Sequence, residues 1–227
     1  TSGTTLLLGI VGLGDTTGDG SGDLIISRKD AGGIYSAYLI YGSLSATMDA
    51  EAFPAGVSVL IHNGGGQTSP MTVASAGKFD GDGLYDFAVG NVDNGGGLAN
   101  VVIFFGNSGG YSMIDLDGNI YSLITPERAI NIIAIDTYGL GMSMAYAGDI
   151  NGDGRGDLLI GAPRAFSNDG IAFLVFGSSS LSGDAGISTY TLTSINGYAI
   201  RHGLVTGSSV GATVFGCLHS DTPTSCP

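Results

Sequence analysis

The sequence predicts an all-β fold assembled from repeated units, and three observations carry that expectation. Eighteen of the twenty acidic residues are Asp, Glu51 and Glu127 being the exceptions, and Asp avoids helix interiors while favouring turns and metal loops. Glycine fills 41 of 227 positions with no G-X-Y period, which excludes collagen and points to many tight turns between strands. An acidic loop recurs three times, each time between strand-like runs.

The three loops are Asp15-Thr-Thr-Gly-Asp-Gly-Ser-Gly-Asp23, Lys78-Phe-Asp-Gly-Asp-Gly-Leu-Tyr-Asp86 and Asp149-Ile-Asn-Gly-Asp-Gly-Arg-Gly-Asp157. They begin 63 and 71 residues apart. A short apolar run follows each at once: Leu24-Ile-Ile26, Phe87-Ala-Val89 and Leu158-Leu-Ile160. Eighteen or nineteen residues beyond the last Asp stands an aromatic–glycine pair: Tyr41-Gly42, Phe105-Gly106 and Phe176-Gly177. The runs before these pairs (34–41, 98–105 and 171–176) are rich in β-branched and aromatic residues and read as strands. One unit is therefore strand, acidic loop, strand, turn, strand, glycine turn and a looser outer strand. That is one blade of a β-propeller.

The units divide the chain at about 5–67, 68–138 and 139–206. A fourth inner strand is expected within 207–216, where Val210–Gly216 aligns with Leu140–Tyr146, ahead of a cysteine-containing tail to residue 227. Three blades and one orphan strand fall short of the four to eight that close a ring, so the sector is a part of a larger propeller or is completed by other copies.

This pattern resembles the FG-GAP repeat of the integrin α-subunit propeller and related extracellular propellers. The third unit carries the full signature, through Gly161-Ala162-Pro163 to Phe176-Gly177. The second departs at Lys78, and the first has Ile26-Ser27-Arg28 in place of Gly-Ala-Pro. The turns Leu116-Asp-Gly-Asn119 and Ser194-Ile-Asn-Gly-Tyr198 fit the linkers of such repeats, and the resemblance covers roughly residues 5–216. It implies an extracellular or cell-surface module for adhesion, binding a protein or a glycan.

Calcium takes six to eight hard oxygen ligands, and loops of this spacing supply them from side chains at positions 1, 3, 5 and 9 and a carbonyl at position 7. The first loop offers Asp15, Thr17, Asp19, Asp23 and the carbonyl of Ser21; the third offers Asp149, Asn151, Asp153, Asp157 and the carbonyl of Arg155. Two Ca2+ ions are expected there. In the second loop Lys78 replaces the first carboxylate while Asp80, Asp82, Asp86 and the carbonyl of Leu84 remain. Its ammonium is expected to bridge the aspartates in the metal's stead, a weakened calcium site being the other reading.

Seven basic against twenty acidic side chains give a net charge of −13, which argues against nucleic acid and anionic membrane surfaces as partners. No apolar stretch approaches the roughly 20 residues of a membrane helix. Without an initiator Met or a signal-like segment, the chain reads as a mature product or an excised piece. Cys217 and Cys226 could close a short disulfide loop outside the cell or stay as thiols. The tripeptide Arg155-Gly156-Asp157 lies inside the third loop, where Asp157 is needed for the loop itself. Gly207-Ser-Ser-Val-Gly211 matches a nucleophile-elbow pattern that a chain this rich in Gly and Ser produces by chance.

The sequence thus points to a non-enzymatic, calcium-stabilised interaction module. Two alternatives stand beside it: a structural subunit completing its blades with other copies, and a non-catalytic part of a secreted hydrolase.

Overall fold

The computed structural model describes residues 4–42, 58–62, 70–93, 99–111, 114–115, 128–133, 139–181, 186–191 and 197–200. The expected strand within 207–216 and both cysteines lie outside the described residues. The described chain is all-β. Sheet 1 comprises β1 (Leu6–Gly12), β2 (Leu24–Lys29), β3 (Tyr35–Ile40) and β4 (Ser58–His62), each antiparallel to the one before. Sheet 2 comprises β5 (Thr72–Gly77), β6 (Asp86–Asp93), β7 (Ala99–Phe104) and, beyond the two-residue strand β8 (Ile114–Asp115), β9 (Arg128–Ile133). Sheet 3 comprises β10 (Ser143–Gly148), β11 (Asp157–Ala162), β12 (Ile171–Val175) and, beyond β13 (Gly186–Thr191), β14 (Gly197–Ile200).

The strands β8 and β13 add a feature that four-stranded units did not lead one to expect. Each leaves its own unit and pairs in parallel with the outer strand of the sheet before it. Ile114 stands opposite Ile61 on β4, and Gly186 through Thr191 run beside Arg128 through Ile133 on β9. The connection from third to fourth strand passes the open edge of the preceding sheet. Its backbone groups pair with that edge instead of with water.

Apolar residues alternate faces along each strand, so a sheet with neighbours on both sides must be apolar on both. Sheet 2 is the case: Phe87, Val89, Val102 and Phe104 face sheet 1, where they meet Ile25, Ala37 and Leu39. Ala88, Val101, Ile103, Ile130 and Ile132 face sheet 3, where they meet Leu158, Ile160, Ile171 and Val175. The innermost strands β1, β5 and β10 lie side by side and line a cleft of about 450 Å3.

Between β11 and β12 the chain makes a single left-handed turn. Phe166, Ser167 and Asn168 have φ of 51°, 59° and 73°, a conformation that costs a non-glycine residue roughly 1–2 kcal/mol. No helix among the described residues is long and apolar enough to cross a membrane.

Candidate functional site

The three acidic loops leave the ends of β1, β5 and β10 and share one backbone form. The glycines at positions 4 and 6 have positive φ in every loop: 76° and 85° at Gly18 and Gly20, 80° and 104° at Gly81 and Gly83, 75° and 84° at Gly152 and Gly154. A side chain would be strained there, which accounts for the Gly-Asp-Gly core of the repeat.

At position 1 the carboxylate gathers the amides of the turn that follows. Asp15 accepts from the N–H groups of Thr17, Gly18, Asp19 and Gly20 at 2.6–3.2 Å, and Asp149 from Gly152, Asp153 and Gly154 at 2.7–3.0 Å. Burial opposes ionisation of Asp15, but the amide bonds outweigh it and hold its pKa below the ordinary value. Lys78 has no such capacity. Its side chain is exposed and its ammonium stands over the Tyr85 ring, 5.3 Å from the centroid, so it is not brought onto Asp80, Asp82 and Asp86.

At position 9 the carboxylate is a knot between two parts of the unit. Asp23 accepts from the amide and hydroxyl of Thr16 and from the Gly42 amide at 2.8 Å. Asp86 accepts from the amides of Phe79, Asp80 and Gly106, and Asp157 from those of Ile150 and Gly177. This explains the aromatic–glycine pair. A Cβ on Gly42 or Gly177 would overlap the carbonyl oxygen of Gly22 or Gly156, and one on Gly106 would overlap the Leu84 side chain. Burial pushes Asp86 up to about 8, the neighbouring charge of Asp80 adding to it; burial also raises Asp157. Asp157 is fully buried, so the Arg-Gly-Asp tripeptide is not a presented motif.

Position 5 is more open: Asp19 and Asp153 each accept one main-chain amide, from Ser21 at 2.7 Å and Arg155 at 2.9 Å. Position 3 is Thr17, Asp80 or Asn151. The Thr17 hydroxyl oxygen is buried and has no hydrogen-bond partner, while Asn151 bonds to Asp153. Among the described residues no three His, Cys, Asp or Glu side chains converge as a preformed metal cage. The donor set of the first and third loops is nonetheless oxygen throughout, and the orphaned Thr17 oxygen fits a hard cation.

Two features of the site had no signal in the sequence. The Arg155 guanidinium lies beside the loops, 3.6 Å from Asp153 and donating to the Ser179 hydroxyl at 3.3 Å. The loops are also stitched together by main-chain bonds: Tyr85 N–H to the Asp15 carbonyl at 3.0 Å, and Gly156 N–H to the Lys78 carbonyl at 3.1 Å. In both, position 8 of one loop donates to position 1 of the loop before. Repeat alignment makes those positions equivalent; only the fold makes them neighbours.

No curated protein matches the chain. One family does, over residues 145–175. That stretch takes in most of β10, the third loop, β11, the left-handed turn and β12, and the model it matches is that of the FG-GAP repeat.

Proposed function

We propose that the chain is a calcium-binding β-propeller module that acts by binding, without catalysis, in an extracellular or cell-surface setting. The observation that carries the reading is the Thr17 hydroxyl, a buried oxygen left without a partner in a loop of oxygen donors. Calcium satisfies such a set without a fixed geometry. Asp15, Thr17, Asp19, Asp23 and the Ser21 carbonyl would hold one ion; Asp149, Asn151, Asp153, Asp157 and the Arg155 carbonyl would hold another. A carboxylate has about four acceptor directions, and the three bonds to Asp23 leave it one to offer. The ions would neutralise clustered carboxylates and pin each turn between two strands. The second loop, with Lys78 at its head, is read as free of metal.

Three sheets of one strand order, stacked through apolar faces, support the reading of each as a propeller blade. FG-GAP repeats occur mostly in extracellular or surface proteins, which supports the setting. The stitched loops then form one rim of the module, a surface for a protein or glycan ligand.

Calorimetric titration of the chelator-treated chain with calcium tests the reading. Two ions should bind, with dissociation constants on the order of 10⁻⁴–10⁻³ M, and the melting temperature should rise. Asp19→Ala and Asp153→Ala should each remove one ion while leaving the Asp15 and Asp149 turns in place. Absence of binding heat together with an unchanged melting temperature would refute it.

A further inference from the structure

We infer that Arg155 is the third loop's own cation, and that its guanidinium makes this loop the weaker of the two calcium sites. The inference rests on the calcium reading above and sets the order of affinity between the loops.

By count of donors the order would be the reverse. Each loop carries three carboxylates, at Asp15, Asp19 and Asp23 and at Asp149, Asp153 and Asp157. At position 3 the third loop adds the amide oxygen of Asn151 where the first has the Thr17 hydroxyl. The hydrogen bonds give the opposite order. In the first loop Asp19 Oδ1 accepts the Ser21 amide, while its other oxygen and the Thr17 hydroxyl oxygen have no partner among the described residues. In the third loop each of these places is taken. Asp153 Oδ1 accepts the Arg155 amide, and its Oδ2 accepts from Asn151 Nδ2 at 3.1 Å and faces Arg155 Nη1 at 3.6 Å. Asn151 Oδ1 accepts the Asp153 amide at 3.1 Å. An oxygen that must first give up a partner ligates a cation less tightly than one already free to do so.

The fold holds the guanidinium in place. At position 7 the three loops carry Ser21, Leu84 and Arg155, so only the third has a charge there. Each long side chain at this position lies on the position-4 glycine of the loop before. A Cβ on Gly18 would stand 3.4 Å from Leu84 Cδ2, and one on Gly81 would stand 3.0 Å from Arg155 Nε. Arg155 Nη2 also donates to the Ser179 hydroxyl at 3.3 Å, and the Arg155 side chain is only 29% exposed. A side chain packed on the second loop and tied to Ser179 cannot swing into bulk water without losing both contacts. Its positive charge therefore stays beside Asp153 when that carboxylate takes an ion, and opposes the ion. In the metal-free chain the same charge offsets Asp153, a compensation that Ser21 cannot give Asp19.

Calorimetric titration with calcium, run on the full chain after chelator treatment, tests the inference. Asp153→Ala isolates the first loop and Asp19→Ala the third, and the third should bind more weakly. Placed in Asp19→Ala, Arg155→Gln should tighten binding about 3- to 10-fold, the effect of one unit charge a few ångströms from a divalent ion under solvent screening. Arg155→Lys keeps the charge and should stay at the starting affinity, which separates charge from packing. Placed in Asp153→Ala, Arg155→Gln should leave the first loop's affinity unchanged. Calcium should also raise the melting temperature of Arg155→Gln by more than that of the wild type. A third loop as tight as the first, a Gln variant no tighter than its parent, or a Lys variant as tight as the Gln variant would overturn the inference. Two ions bound with affinities indifferent to Arg155 would refute it alone, whereas no binding heat in any of these chains would refute the calcium reading with it.

Discussion

The main-chain N–H of Tyr85 donates to the carbonyl of Asp15 at 3.0 Å, tying the second acidic loop to the first. The same Asp15 gathers four amides of its own loop with its carboxylate. One residue therefore fixes the shape of its turn and the attachment of the next unit. Asp15→Ala is expected to lower the urea midpoint even in chelator. It should also speed hydrogen exchange at the Tyr85 amide, since the acceptor carbonyl sits in a turn that has lost its centre. Lys78→Ala should leave that amide as protected as before.

Gly177 and Gly12 make a matched pair for testing the aromatic–glycine motif. A Cβ on Gly177 would overlap the carbonyl oxygens of Gly156 and Phe79, both backbone, so nothing flexible can give way. A Cβ on Gly12 meets nothing within 4 Å. Gly177→Ala should cost about 1–3 kcal/mol in chemical denaturation, the range of overpacking strain. Gly12→Ala should change stability by less than about 0.5 kcal/mol, as surface substitutions do.

The strand plan, the three loops and the glycines that shape them were legible in the sequence because each is a local requirement repeated in phase. A positive φ at Gly18, Gly81 and Gly152 calls for Gly wherever it occurs, and alternation marks strands one at a time. What stayed hidden depends on which strand lies beside which. The parallel pairing of β13 with β9 joins residues some sixty positions apart through backbone groups, and any residue except Pro can make such bonds. Lys78 shows the same limit at one side chain. Counting ligands put its ammonium among the aspartates, but the side chain lies over Tyr85, a ring whose proximity composition does not reveal. Asp23 and Asp157 were legible as acidic positions, yet their bonds to Gly42 and Gly177 are what give the aromatic–glycine pair its place.

Asp15 and Asp86 predict opposite responses to pH. The fold lowers the pKa of Asp15, so its contribution is present above the unfolded value of 3.8 and is lost as pH falls below it. The fold raises Asp86 from 3.8 to about 8, so the folded chain holds a proton that the unfolded chain releases in that window. Stability from this group accordingly declines as pH rises from about 4 to about 8. The charge of Asp80 is one cause of the shift. In chelator, Asp80→Asn should flatten the decline between those limits, read as the urea midpoint against pH. A variant with the same slope as the wild type would mean that Asp86 titrates elsewhere.

Lys78→Asp asks whether the second loop lacks a cation for want of one carboxylate. Its glycines already have the φ values of the other two loops, so the amides of positions 4 to 6 are placed as they are around Asp15 and Asp149. A carboxylate at position 78 should therefore find amide partners on arrival and restore the ligand set with Asp80, Asp82 and the Leu84 carbonyl. The calcium stoichiometry should rise from two to three, and the added ion should offset the Coulombic strain that Asp80 places on Asp86. The Lys78 carbonyl accepts from Gly156 whatever the side chain, so the stitch to the third loop should survive the exchange. A stoichiometry still at two would show that the form of the turn alone does not make the site. The buried Thr17 hydroxyl, rather than the carboxylates common to all three loops, would then be the feature that sets the first loop apart.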